Sequence, residues 1–120
     1  MEYIFLLHDD EKRWAKMSEE ENEREYGAYM AYSKALREAG VFADGNRLES
    51  VTTATRVRVG ADGKRSVLDG PYADTKEQLG GYYIVDVPDL DTAISWAARC
   101  PCAASGTVEV RPVAEVPAPA

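Results

Sequence analysis

The chain has a single histidine, His8, and two cysteines, Cys100 and Cys102, set either side of Pro101. A structural zinc ion takes four Cys or His ligands at characteristic spacings, and this set falls short of one, so no metal is expected. Two cysteines this close seldom reach disulfide geometry, which predicts reduced thiols, with Cys100 on the inner face of a helix end. Basic side chains are scarce: 14 Lys and Arg stand against 21 Asp and Glu, a net charge of -7. Nucleic acid recognition needs the reverse balance and is excluded as a function class. No apolar run is long. Tyr3–Leu7 is too short for a signal peptide or a membrane span, so a cytoplasmic protein with no membrane contact is expected. The G-x-S-x-G and P-loop spacings do not occur, and Gly80-Gly81 alone is no phosphate cradle, so no organic cofactor is called for.

What is present reads as one α+β domain. A length of 120 residues suffices for one hydrophobic core. Residues 1–113 carry the periodic segments, and 114–120, with Pro117 and Pro119, read as a flexible C-terminal tail. Tyr3–Leu7 predicts a central strand closed by His8-Asp9-Asp10. Ser18 and Glu21 form a capping box for a helix running to about Glu38, with Gly40 as its stop; Trp14 and Met17 lean on the helix entry. Val41–Ala43 and a turn-like Asp44-Gly45-Asn46 follow. Ala54–Val59 and Lys64–Leu68 alternate around Asp62-Gly63, a hairpin signal. Gly81–Val87 predicts a strand, Asp89 caps a second helix, and Gly106–Val113 predicts the last strand. The order β-α-β-β-α-β, with an extra strand segment near the middle, is the ferredoxin-like split βαβ plan: an antiparallel sheet with two helices on one face. Tyr3–Leu7 is apolar at every position, and Tyr82 and Tyr83 point to opposite sides, so both sheet faces call for burial. A symmetric homodimer is the simplest cover for the helix-free face.

The densest chemistry lies in Asp69–Tyr83, where Asp, Thr, Lys, Glu and Gln mix with Gly-Pro. Such a loop either connects strands through solvent or holds polar groups in place. His8 is the only histidine, and histidine, whose reference pKa is about 6.5, is the residue type suited to proton transfer near neutrality. Asp69, before a turn, bonds local N–H groups or orients His8; strands ending at His8 and Asp69 would bring the pair within a water of each other if they neighbour in the sheet. Lys76 and Glu77 are candidates to line a cleft and bind substrate, and Tyr72 to anchor the loop with its hydroxyl at a pocket edge. Arg56, Arg58, Glu109 and Arg111 alternate with valines and either pair across a dimer or floor a cavity, Arg111 being the candidate binder.

Asp69-Gly70-Pro71-Tyr72, followed by Thr75–Tyr82, resembles the signature of the YCII-related family in its DGPF branch. Asp89–Ala93, Trp96–Pro101 and Gly106–Val113 match the same pattern. The resemblance implies a ferredoxin-like fold paired into a dimeric α+β barrel. It also implies a small-molecule pocket, with isomerase- or lyase-like acid–base chemistry by His8 and Asp69 as one reading. The other is a non-catalytic ligand-binding or regulatory module linked to extracytoplasmic-function sigma factors. Many relatives carry a histidine on the first helix, paired with an acid; here that helix has Tyr26, Tyr29 and Tyr32.

Overall fold

A computed structural model describes residues 1–117. Six strands and four helices follow in the order β1 (Glu2–Asp9), α1 (Glu11–Ala15), α2 (Glu19–Glu38), β2 (Phe42–Arg47), β3 (Thr55–Val59), β4 (Arg65–Asp69), β5 (Gln78–Asp86), α3 (Leu90–Arg99), α4 (Cys102–Ser105) and β6 (Thr107–Pro112), with a 3-10 turn at Val51–Thr53. β2, β5, β1 and β6 form one antiparallel sheet in that order, the split βαβ arrangement.

Local chemistry sets the element ends. The Glu21 N–H donates to Ser18 Oγ at 3.1 Å and the Ser18 N–H to Glu21 Oε1 at 3.4 Å, so the capping box closes as expected. Gly40 ends α2 at φ +73°, a conformation that costs glycine little. Asp89 Oδ1 accepts from the Thr92 N–H at 2.8 Å and starts α3.

The core lies between the sheet and α2 and α3. Tyr3, Phe5 and Leu7 face the helices with Tyr83 and Val85, and they meet Tyr32 and Leu36 of α2 and Ala93 and Ala97 of α3. The Tyr32 hydroxyl donates to the Trp96 carbonyl at 2.7 Å, tying the helices together without leaving a buried polar group unpaired. The alternate residues Ile4, Leu6, Tyr82 and Ile84 lie on the helix-free face and are half-buried by their own sheet.

Several expectations shift in detail. β1 runs through His8 to Asp9 rather than closing at Leu7. Asp10 caps the short helix α1, where sequence offered only a lead-in; its side chain accepts from the Lys12 N–H. Asp44-Gly45-Asn46, read as a turn, lies inside edge strand β2, with a register irregularity between Phe42 and Asp44. Turn-forming residues fit a short edge strand, where one side of the ladder is free. β5 begins at Gln78, three residues before Gly81. The hairpin forms around Gly63 at φ +76°, but β3 and β4 pair only with each other. β4 therefore has no place beside β1 in the main sheet. Residues 114–117 of the expected tail have no regular structure, and 118–120 lie outside the described residues.

Phe5 is fully buried at the centre of this core. Phe5→Ala is expected to lower unfolding free energy by about 3–5 kcal/mol in urea denaturation, against less than about 0.5 kcal/mol for an exposed change such as Glu20→Ala.

Candidate functional site

Two cavities flank the end of β1 at His8 and Asp9. These neighbours face opposite sides of the sheet because successive strand residues alternate. On the helix side, a cleft of about 560 Å³ is enclosed by α1, α2 and strands β1, β5 and β2. On the other side, a broad trough of about 1640 Å³ lies among His8, the 71–79 loop, the hairpin root and the start of β6.

Asp9 is the one buried charged residue among those described. Its Oδ2 accepts from Arg13 Nη2 at 2.7 Å and from Ser105 Oγ at 2.8 Å, and its Oδ1 accepts from the Asp10 N–H at 2.8 Å. Burial works against the charge, but these bonds outweigh it and hold the carboxyl below its ordinary value. Arg13 Nη2 also donates to Glu25 Oε1 at 2.9 Å, and the two carboxylates raise its pKa. Asp9 lines the cleft and Arg13 the trough, so the ion pair stands between the cavities.

The cleft walls are aromatic: Trp14, Tyr26, Tyr29, Phe42 and Tyr83. Arg47 stacks 5.0 Å from the Trp14 ring centre and Arg37 4.5 Å from that of Phe42. Among the described residues neither arginine makes an ion pair. The floor includes Gly80 and Gly81. A Cβ on Gly81 would come within 2.9 Å of the Asn46 carbonyl oxygen, so close pairing of β2 on β5 requires glycine there. Burial pushes the Tyr29 hydroxyl well above its ordinary value and the Cys102 thiol up to about 11. Asp9 is thus a fixed anion and Tyr29 and Cys102 fixed donors, and none of the three changes charge near neutrality.

The residues proposed from sequence divide between places. His8, Tyr72, Lys76 and Glu77 line the trough; Asp69 and Arg111 do not. His8 Nε2 lies 3.1 Å from Glu109 Oε1, so its carboxylate neighbour is Glu109, reached diagonally from β1 to β6. Asp69 ends β4, exposed, and its carbonyl accepts from Arg56 Nη2 at 3.3 Å. Glu77 Oε1 accepts from Thr107 Oγ1 at 2.8 Å. Tyr72 is 95% exposed, so it stands at the rim and anchors nothing within this chain. Arg111 lies on the helix-free face opposite Ile4. Asp9, Arg13, Tyr29 and Arg47 are not among the site residues the sequence proposes, although Asp9 stands beside His8 as a possible orienting carboxylate and Arg47 is left open. The signal for Asp9 was parity: Tyr3, Phe5 and Leu7 point inward, and the next residue in step is Asp9.

Asp9 has a lowered pKa when folded, so its stabilisation is complete above its unfolded value of about 3.9 and is lost as pH falls through the folded value. The wild type should lose urea stability steeply below about pH 4, and Asp9→Asn should flatten that limb while starting less stable at pH 7. Cys100 and Cys102 are 2% and 1% exposed, and burial raises both thiols, to about 12 and about 11. A colorimetric disulfide reagent at pH 8 should modify neither in the native protein and both in urea.

A model of the YCII-related domain matches residues 1–117. An uncharacterised protein of Rhizobium meliloti (strain 1021) is 39% identical over 116 residues, covering 95% of this chain and 93% of that one. Among solved structures, 5-chloro-2-hydroxyhydroquinone dehydrochlorinase (TftG) from Burkholderia phenoliruptrix AC1100, in complex with 2,5-dihydroxybenzoquinone, aligns with a TM-score of 0.54 over 97% of this chain and 96% of that one. Its 17% identity speaks to a shared fold alone. Matched by the family model over residues 1–117, the chain belongs to the YCII-related family.

Proposed function

We propose that the protein binds a planar, anionic, oxygen-rich small molecule in the cleft between α2 and the sheet. One observation carries the reading: in a chain of net charge -7, two arginines without ion-pair partners lie on aromatic rings inside one enclosed cleft. An unpaired guanidinium attracts anions, and flat aromatic walls favour flat ligands. The volume of about 560 Å³ falls within the usual span of roughly 300–1,000 Å³ for small-molecule sites. The quinone in the TftG complex belongs to this chemical class. With Asp9 locked by three donors and Tyr29 held neutral, binding without turnover is the function these side chains support, the ligand-binding alternative implied by the family resemblance.

The His8–Glu109 contact favours a second reading, acid–base chemistry at the trough. In either reading the chain works as a homodimer, the two helix-free faces meeting through Ile4, Leu6, Tyr82 and Ile84 to form a dimeric α+β barrel.

Thermal melts and calorimetry with 2,5-dihydroxybenzoquinone and with benzoate test the first reading. Ligand should raise the melting temperature, and Arg47→Ala should weaken binding by about tenfold or more, in keeping with a charged hydrogen bond. Equal binding by wild type, Arg47→Ala and Arg37→Ala would remove the cleft from consideration. Turnover of such a compound that vanishes in His8→Asn would transfer the function to the trough.

A further inference from the structure

The β3–β4 hairpin is exposed on both faces. Nine of its ten strand residues are exposed and Arg56 alone is half-buried. Val57, Val59 and Val67 share one face, since Val57 pairs with Val67 across the ribbon, and they are 59%, 67% and 55% exposed. A lone two-stranded hairpin is marginal in water and needs a surface to pack on. The rest of the molecule shows the same want of cover. The radius of gyration is 16.8 Å, against about 13.6 Å for a compact domain of this length. The accessible surface is 8601 Å², against about 6,400 Å² for a folded monomer of this mass. The excess exceeds the roughly 800 Å² per partner that a standard interface buries.

Two features identify the missing surface as a second copy of this chain. The trough of about 1640 Å³ is well beyond the roughly 300–1,000 Å³ of small-molecule sites, and suits a polypeptide. Its walls include the root of the chain's own hairpin, at Thr53, Ala54, Pro71 and Tyr72. An arm entering a partner's trough would therefore run beside the partner's arm, the reciprocal contact that a two-fold axis produces.

We propose that the β3–β4 hairpin is an exchange arm: its valine face docks in the trough of the partner copy, so that the surroundings of His8 are built from both chains. The inference rests on the homodimer reading and adds to it that the arm is required and that the trough is composite. The 95% exposed Tyr72 then has an apolar neighbour supplied by the partner.

His8 is the only histidine, so its imidazole proton resonances are unambiguous, and the native thiols are buried, so a cysteine placed on the arm reacts alone. Wild type and Val57→Asp/Val67→Asp are compared by sedimentation at micromolar concentration and by the His8 resonances across a dilution series, with circular dichroism to show that the body stays folded. The expected result is a wild-type dimer, a double variant whose dimer is at least tenfold weaker, and a His8 signal that moves on dilution or on arm substitution. A double variant that still dimerises fully overturns the arm and leaves the sheet-face dimer standing. A monomeric wild type overturns both. A weakened dimer with an unmoved His8 signal overturns the composite trough. Should the double variant unfold, Val67→Cys with Ala73→Cys and a short bismaleimide decides: covalent dimers support the arm, and cross-linking confined within monomers refutes it.

Discussion

The Asp9–Arg13 pair is the contact on which the rest of the site depends. A carboxylate taken out of water is costly unless charge and hydrogen bonds replace the solvent, and Asp9 has both. Through it the end of β1 is joined to α1 by Arg13, to α4 by Ser105 and, by way of Arg13, to α2 at Glu25. Four elements, α4 among them from near the other end of the chain, meet at one buried charge. α1 has no buried residue to hold it otherwise. Glu11 adds a second tie, accepting from the Val51 N–H and the Ser50 hydroxyl. The cleft wall that carries Trp14 is thus positioned by polar contacts at the start and the middle of a five-residue helix.

The main architecture was legible because its signals are local and periodic. Ser18 with Glu21, Gly40, Asp89 and the Asp62-Gly63 turn each specify a backbone event within a few residues, and the structure places all of them. Tyr3–Leu7, apolar at every position, marked β1 as a central strand without showing which residues turn inward; the burial of Tyr3, Phe5 and Leu7 shows that. Less was legible where tertiary pairing overrides composition. Asp44-Gly45-Asn46 has turn chemistry yet lies in a strand because β5 offers it a ladder. α1 and α4 are too short for a period to show. The hairpin's independence of the main sheet could not be read from β-propensity, which describes strands and not their neighbours.

The candidate site was harder still. His8 lines one trough with Tyr72, Lys76 and Glu77, where a strand end and a polar loop gather at the same sheet edge. Asp69 was paired with His8 on the premise of adjacent strands; the hairpin stands apart, and Glu109 on β6 takes the position beside the imidazole. Gly80-Gly81 carries no phosphate motif, and its meaning is steric: bare backbone at the floor of a cleft, where β2 comes close. Such a role emerges only when the opposing strand is known.

The flat body, 50 × 48 × 18 Å, has a consequence for how the chain tolerates change. A single layer of helices on the four-stranded sheet gives each residue of that sheet one of two masters. Those pointing to the helices answer to the fold of their own chain, whereas those pointing away answer to whatever lies beyond it. Selection on the two sets is then separable. A change at Ile4 or Ile84 leaves the buried packing intact, while Phe5 and Val85, one step along the same strands, preserve the shape of the chain.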